Sequence, residues 1–246
     1  MSASVAQSSR PVGNLDKRGS GGGAGTATSA ALIVPSNYQM FGLLLPPTLS
    51  GAWGGLATMG AIQSPDTYFI ALGPYAVPAD GTFDRLGFYL RGTPGIAQLG
   101  IYDNVPLGGA AYVPGWDYPG NRLALFDETS APAGAVFRES PALALKVKGG
   151  DRIWAVFQSH GSGTQIQTVQ KWAMANFGLN TVAGSDPNAA YGFLGYRTAT
   201  PHSYGLPSTF PAANPATIFP YNNQGDDIGG GASLWCPALY YRFLLD

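Results

Sequence analysis

Hydrophobic and polar residues alternate along several short segments of the chain, a period-two pattern that places one face of a strand in a core. Leu86, Phe88 and Leu90 fall on one face of such a segment, with arginine side chains on the other. Leu143 and Leu145 begin a second segment of this kind, in which lysines face outward. Glycine and proline are frequent between such segments, so the pattern predicts short strands joined by turns.

Other stretches predict further strands of similar length. The run 152–157 is a nearly continuous apolar strand, and the glycines on either side of Ser162 predict a hairpin turn after it. Residues 169–177 are the one place where a short helix is expected. Strands at this spacing, separated by Gly and Pro turns, are typical of an antiparallel sandwich or a jelly roll. The remaining predicted strands cover residues 66–72, 98–102, 121–126, 164–170 and 234–244.

Composition excludes two other classes of protein. The 246 residues include 35 glycines and 20 prolines. These residue types destabilise helix interiors by about 1 and 3 kcal/mol each, so a long-helix protein is excluded. Hydrophobic residues make up 45% of the chain, which excludes a disordered polymer. We therefore predict an all-β protein, an antiparallel β-sandwich of jelly-roll type with long Gly/Pro-rich loops and an extended N-terminal arm.

The N-terminal segment differs from the rest of the chain. Residues 1–30 contain a glycine run and no aromatic residue, and three basic residues against one acid give them a charge of +2. Such a segment cannot bury enough apolar surface to fold alone. It is either an unstructured tail or an arm that becomes ordered against a partner subunit. We expect an arm over residues 1–35 and a β-sandwich body over residues 36–246.

Charge and hydropathy limit the partners. The net charge of −1 lacks the basic excess of a nucleic-acid-binding domain, so no nucleic-acid partner is expected. No apolar stretch reaches the length of a membrane-spanning helix, and no signal peptide is expected at the N-terminus.

Cys236 is the single cysteine, which excludes an intrachain disulfide. It is followed by a proline in an apolar strand, and we expect it to be a small buried hydrophobic residue.

Catalytic and metal-binding patterns are weak in this sequence. His160 and His202 are its two histidines. Ser162, His160 and Asp151 could in principle form a triad, but no Gly-x-Ser-x-Gly elbow surrounds a serine in a strand-to-helix context. Cys-x-x-Cys, His-x-x-x-His and phosphate-loop motifs are missing as well. We therefore expect no enzymatic activity, no cofactor and no metal.

Aromatic residues in two long loops are the remaining candidates for binding. Loops of this length in a compact domain usually have a function or contact a partner. Their aromatic side chains could fill a subunit interface, stack on sugar rings, or fold back over the sandwich. The candidate binding residues are Tyr112, Trp116 and Tyr118 in the loop 103–120, and His202, Tyr204 and Tyr221 in the loop 198–231.

Three segments within residues 83–157 carry a resemblance to a known family. They are AQLGIY at residues 97–102, LALFDE at residues 123–128, and LALKVKGGDRIWAV at residues 143–156. In this order the segments resemble the β-sandwich domain of tailed-phage virion proteins, such as tail-fibre, head-fibre and decoration modules. The resemblance covers about a third of the chain. It implies an oligomeric component of the virion surface and carries over no binding residue.

Together these observations predict a non-enzymatic structural component of a phage particle, located in the virion. The arm would attach the chain to other virion proteins through Arg10, Lys17 and Arg18, and the sandwich would be exposed as a fibre, spike or decoration protein. A homo-oligomer is expected, with a trimer favoured, and a host-surface glycan is a candidate partner. The alternatives are a carbohydrate-binding module and a jelly-roll coat protein whose arm meets the genome.

Overall fold

The structure is a computed structural model, and the chain divides into two units, Met1–Ala31 and Leu32–Asp246. The first unit, with Arg10, Lys17 and Arg18, lies outside the described residues. The structure describes residues 35, 37–42, 58–60, 68–91, 96–106, 117–129, 136–160, 164–170, 179–180, 191–198, 203–212, 218–222 and 235–246.

The described part of the second unit consists of strands, turns and bends, with no helix among these residues. The strands are β1 (Gln39–Met40), β2 (Thr58–Gly60), β3 (Ile70–Ala76), β4 (Gly81–Arg91), β5 (Ile96–Pro106), β6 (Asp117–Glu128), β7 (Val136–Glu139), β8 (Leu145–Val147), β9 (Arg152–His160), β10 (Gln165–Gln170), β11 (Leu179–Asn180), β12 (Tyr191–Thr198), β13 (Ile218–Asn222), β14 (Trp235–Pro237) and β15 (Tyr240–Leu245).

These strands form two sheets in which every described pairing is antiparallel. The first sheet has the order β1-β15-β4-β10-β14, with β7 and β8 paired to β4 and β2 paired to β10. The second has the order β11-β12-β3-β9-β5-β6, with β13 paired to β12. The two sheets pack face to face, which confirms the predicted antiparallel β-sandwich.

Consecutive strands often change sheets, which corrects one local prediction. β9 belongs to the second sheet and β10 to the first, so these two strands do not pair as the predicted hairpin; residues 161–163 between them lie outside the described part of the chain. The helix expected over residues 169–177 begins inside β10, which extends to Gln170. Residues 171–178 lie outside the described part of the chain.

The core between the sheets contains the inward residues that the alternation predicted. Leu86, Phe88 and Leu90 of β4 are fully buried. Phe88 stacks on Phe126 of β6 with ring centroids 4.9 Å apart and meets Phe157 of β9 edge-on at 5.9 Å. Each fully buried side chain of this size contributes about 1.5–3 kcal/mol of transfer free energy, so this contact holds the two sheets together.

The beginning of the body is fixed to the C-terminal strand. Gln39 and Met40 of β1 pair with β15, and Phe41 is buried with its ring centroid 4.5 Å from that of Tyr241. Cys236 is also buried, as predicted for a small hydrophobic residue. The chain therefore enters the sandwich at residues that are already part of the core.

A glycine in β12 allows close contact between two strands of the second sheet. Gly195 lies at a bulge with φ +152°, and a Cβ placed on it would collide with the carbonyl oxygen of Ala71 in β3. By contrast, Gly150 has φ +90° in a turn, and a Cβ there would meet no atom within 4 Å.

We expect Gly195→Ala to lower the free energy of unfolding by about 2–4 kcal/mol, because it adds a steric collision to backbone strain. Gly150→Ala is the matched control. It introduces strain alone and should lower that free energy by about 1 kcal/mol. Urea unfolding of both variants measures the difference, and equal losses would contradict the proposed collision.

Candidate functional site

The candidate site is built on a segment that crosses the outer face of the second sheet, residues 203–212, here called the strap. Two buried glutamines bind its backbone. Gly205 N donates to Gln158 Oε1 at 2.9 Å, and Leu206 N donates to Gln98 Oε1 at 2.6 Å. Gln158 Nε2 in turn donates to the carbonyl oxygen of Ser203 at 3.2 Å. Since Gln98 and Gln158 are paired across β5 and β9, the sheet fixes where the strap begins.

The middle of the strap is held by the edge strand β6. Arg122 N donates to the carbonyl oxygen of Ser208 at 2.8 Å, and Phe210 N donates to the carbonyl oxygen of Gly120 at 2.8 Å. The guanidinium of Arg122 also donates to the carbonyl oxygen of Leu206. The strap therefore acts as a short additional partner for β6 and covers part of that edge.

A second aromatic core lies between the strap and the sheet. Trp154 of β9 is fully buried and donates through Nε1 to Asn104 Oδ1 at 2.9 Å. Tyr102 of β5 donates its hydroxyl to the carbonyl oxygen of Pro207 at 2.5 Å, and burial raises its pKa to about 12 although Arg122 lowers it. The members of this core are Phe69, Ala71, Tyr102, Tyr118, Trp154, Val156, Tyr196, Leu206 and Phe210.

Tyr118 belongs to this core, which corrects its assignment as a binding residue. Its side chain is 4% exposed, its ring centroid lies 5.5 Å from that of Phe210, and its hydroxyl donates to the carbonyl oxygen of Pro211 at 2.8 Å. The loop aromatics were expected to fill a subunit interface, to stack on sugar rings or to pack over the sandwich. Tyr118 packs over the sandwich. The side chain stabilises the strap and is closed to an external ligand.

Tyr204 lies in a different environment, beside two exposed side chains. Its hydroxyl donates to Asp127 Oδ1 at 2.7 Å, and its ring centroid lies 6.0 Å from that of His160 at an interplanar angle of 52°. Tyr204 is half-buried, whereas Asp127 and His160 are exposed. These three residues, from the strap, the end of β6 and the end of β9, are called the Tyr204 cluster below.

Electrostatics keep the hydroxyl of Tyr204 protonated. Burial, followed by the hydrogen bond to Asp127, raises the pKa of Tyr204 well above its ordinary value, so its hydroxyl remains a donor at neutral pH. The neighbouring carboxylate of Glu128 is paired with Arg138 at 3.5 Å. The cluster therefore presents aromatic surface, an imidazole, and the carboxylate of Asp127 held in one orientation.

Tyr118 and Tyr204 are the predicted binding residues whose side chains the structure describes. Tyr112, Trp116 and His202 lie outside the described residues. Tyr221 of β13 pairs with Gly195 of β12, and the structure describes only the backbone of Tyr221. Asp127 and His160 were not predicted to accompany Tyr204. The sequence showed Asp127 as a polar residue at the end of a predicted strand. That it lies near Tyr204 and His160 depends on the register of β6, β5 and β9, which the sequence alone does not give.

Comparisons with family models, with curated proteins and with solved structures each find no match to this chain. In the part of the chain that the structure describes, no group of three or more His, Cys, Asp or Glu side chains is arranged to hold a metal ion. None of the described segments is a helix of the length and apolar character needed to cross a bilayer.

Gln98 provides a test of how the strap is held. Gln98→Met retains an unbranched side chain of similar length but removes the oxygen that accepts from Leu206 N. Because a buried unsatisfied N–H costs about 1–3 kcal/mol, we expect a loss of stability in this range. Amide hydrogen exchange at Leu206 should also become faster.

Gln39→Met is the control for this variant, because Gln39 Oε1 accepts an exposed hydrogen bond from the Tyr241 hydroxyl at 2.8 Å. It should change stability by less than about 0.5 kcal/mol and leave exchange at Leu206 unchanged. Unchanged exchange at Leu206 in Gln98→Met would show that the strap does not depend on this glutamine.

Proposed function

We propose that this chain is a non-enzymatic structural component of a phage particle, attached to the virion by its N-terminal arm, with the β-sandwich exposed at the surface. The proposal is supported most directly by the arrangement of the three segments that resemble tailed-phage virion proteins. Residues 97–102 lie in β5, residues 123–128 lie in β6, and residues 143–156 include β8 and most of β9.

Two of these segments pair directly with the first in one sheet. Ala97 of β5 is opposite Glu128 of β6, and Ile101 of β5 is opposite Ala155 of β9. The third segment also contains β8, which pairs with β4 and continues the resemblance into the other sheet. The segments that resemble the phage domain thus form a contiguous part of the sandwich, as expected if they describe a common structural unit.

The way in which the body begins is consistent with a tethered domain. Tyr38 is buried, its ring centroid lies 4.9 Å from that of Phe137, and its hydroxyl donates to Glu139 Oε2 at 2.7 Å. A chain that is anchored in the core from residue 38 onward can be held by its preceding residues without loosening the sheets. This geometry favours attachment through residues 1–35.

Reversing the charge of the arm tests the attachment. We propose that the basic arm docks on an acidic surface of another virion protein. The full-length triple variant Arg10→Glu, Lys17→Glu, Arg18→Glu should therefore fold normally but be absent from particles, because like charges would repel. Immunogold labelling and immunoblotting of particles purified from the host that produces them measure incorporation.

Lys146→Glu with Lys148→Glu is the matched control, since both lysines are exposed at the surface of the sandwich. That double variant should be incorporated like the unmodified chain. Normal incorporation of the arm variant would contradict the role of Arg10, Lys17 and Arg18. Failure to detect the unmodified chain in any particle would contradict the proposed function as a whole.

The proposed assembly includes association of identical chains, with a trimer favoured by the cyclic symmetry common in homo-oligomers. Light scattering of the purified full-length chain on a sizing column measures its mass in solution. We expect about three times the monomer mass of 25.6 kDa. A monomer at all concentrations tested would contradict a stable free trimer.

A further inference from the structure

We propose that the Tyr204 cluster is a binding site for a neutral saccharide. The site consists of the rings of Tyr204 and His160, with the carboxylate of Asp127 between the strap and the edge of the second sheet. This inference rests on the exposed face alone and does not depend on attachment of the chain to a phage particle.

The two rings provide surface on which a sugar ring can stack. Their centroids are 6.0 Å apart and their planes meet at 52°, so they form an open angle and not a closed stack. The face of an aromatic ring carries negative potential, and the C–H groups of a pyranose carry the complementary positive potential. His160 is exposed at the end of β9, and Tyr204 is half-exposed above it.

Space beside the rings is left open by a glycine. Gly205 follows Tyr204 in the strap, and a Cβ placed on it would meet no atom within 4 Å. Its amide donates to Gln158, so the backbone at this position is fixed, and no side chain of the described residues lies within 4 Å of where a Cβ would stand. A ligand can therefore approach Tyr204 along the exposed backbone of residue 205.

The polar groups match a polyhydroxylated ligand. Asp127 is held by the Tyr204 hydroxyl at 2.7 Å, which fixes the orientation of the carboxylate before a ligand arrives. A carboxylate has about four lone-pair sites, so Asp127 can accept from sugar hydroxyls while it still accepts from Tyr204. Bonds to a charged acceptor are among the stronger hydrogen bonds of proteins.

The charge of the site favours a neutral saccharide over an anionic one. Asp127 contributes a negative charge that would repel sulfate, phosphate or carboxylate groups on a ligand. Arg138 is close to this region, but it is engaged with Glu128 at 3.5 Å. The net charge of the whole chain, −1, adds no compensating attraction for a polyanion.

The pairing of strands in the second sheet fixes the positions of Asp127 and His160. Asp127 is opposite Gln98, and Gln98 is opposite Gln158, two residues before His160 in β9. These positions lie on three neighbouring strands, β6, β5 and β9, whose pairing sets the spacing of the carboxylate and the imidazole. A site positioned by strands in this way requires little ordering when a ligand binds.

Binding of the full-length chain to an array of immobilised oligosaccharides tests the proposal. The array should contain neutral polymers of glucose, galactose, mannose and N-acetylglucosamine, together with heparin as a polyanion. We expect binding to at least one neutral series and none to heparin. Titration calorimetry with the best soluble oligosaccharide then gives the dissociation constant.

Two exposed positions allow variants that leave the core intact. We expect Asp127→Ala to weaken saccharide binding at least about tenfold, because a charge-assisted acceptor is lost. His160→Ala should weaken it about threefold or more through the lost stacking surface. Tyr204→Phe should keep the ring but remove the hydrogen bond that orients Asp127. Its affinity for saccharide should lie between that of the unmodified chain and that of Asp127→Ala.

Asp80→Ala is the matched control, because Asp80 is an exposed aspartate whose side chain also accepts a hydrogen bond, from Gly149 N at 2.8 Å. It should bind saccharide like the unmodified chain. Thermal unfolding of every variant separates loss of binding from loss of the fold. Binding unchanged in both Asp127→Ala and His160→Ala would overturn the proposal.

Two further outcomes would also overturn it. The first is no binding to any neutral saccharide at millimolar concentration, and the second is a preference for heparin.

Incorporation of Asp127→Ala into particles gives a separate readout of the proposed virion role. A chain that enters particles but binds no saccharide would overturn this inference alone, whereas saccharide binding without incorporation would contradict only the virion assignment.

Discussion

The burial of β9 on both faces is the constraint on which the rest of the structure depends. Ile153, Ala155 and Phe157 point into the core between the sheets, while Trp154 and Val156 point to the other side of the same strand. A sandwich has one inner face per sheet, so the outward pair would be exposed to water without an additional layer. The strap supplies that layer.

The strap differs from an ordinary surface loop because its backbone is bound by side chains of the sheet. Buried amide groups from Gln98 and Gln158 pair with its N–H and C=O groups, and the hydroxyl of Tyr102 accounts for a further carbonyl. Buried polar groups are costly unless they are paired, so these contacts also specify one position of the strap. This position places Tyr204 next to Asp127 and His160.

The proposed saccharide site depends on the same division of the strap and β6 aromatics into buried and exposed groups. Tyr118 and Phe210 are used to close the outer face of the second sheet, and they are withdrawn from any partner. Tyr204 remains accessible because it lies at the end of the covered region, where the ends of β6 and β9 meet the strap.

Alternation along the chain was sufficient to predict the inward faces of β4 and β8, because side chains in a strand alternate with a period of two. The spacing of the strands and their Gly/Pro turns predicted the fold class, and the apolar strand around Cys236 predicted its burial. The sequence could not determine that β9 and β10 lie in different sheets, since the Gly-Ser-Gly sequence at residues 161–163 is compatible with strands in one sheet or in two. Nor could it show that Tyr118 is buried and Tyr204 accessible, because the sequence places both tyrosines in predicted long loops, whereas Tyr118 belongs to β6. The tertiary structure decided those points, since they depend on which strands become neighbours and on where the strap crosses them.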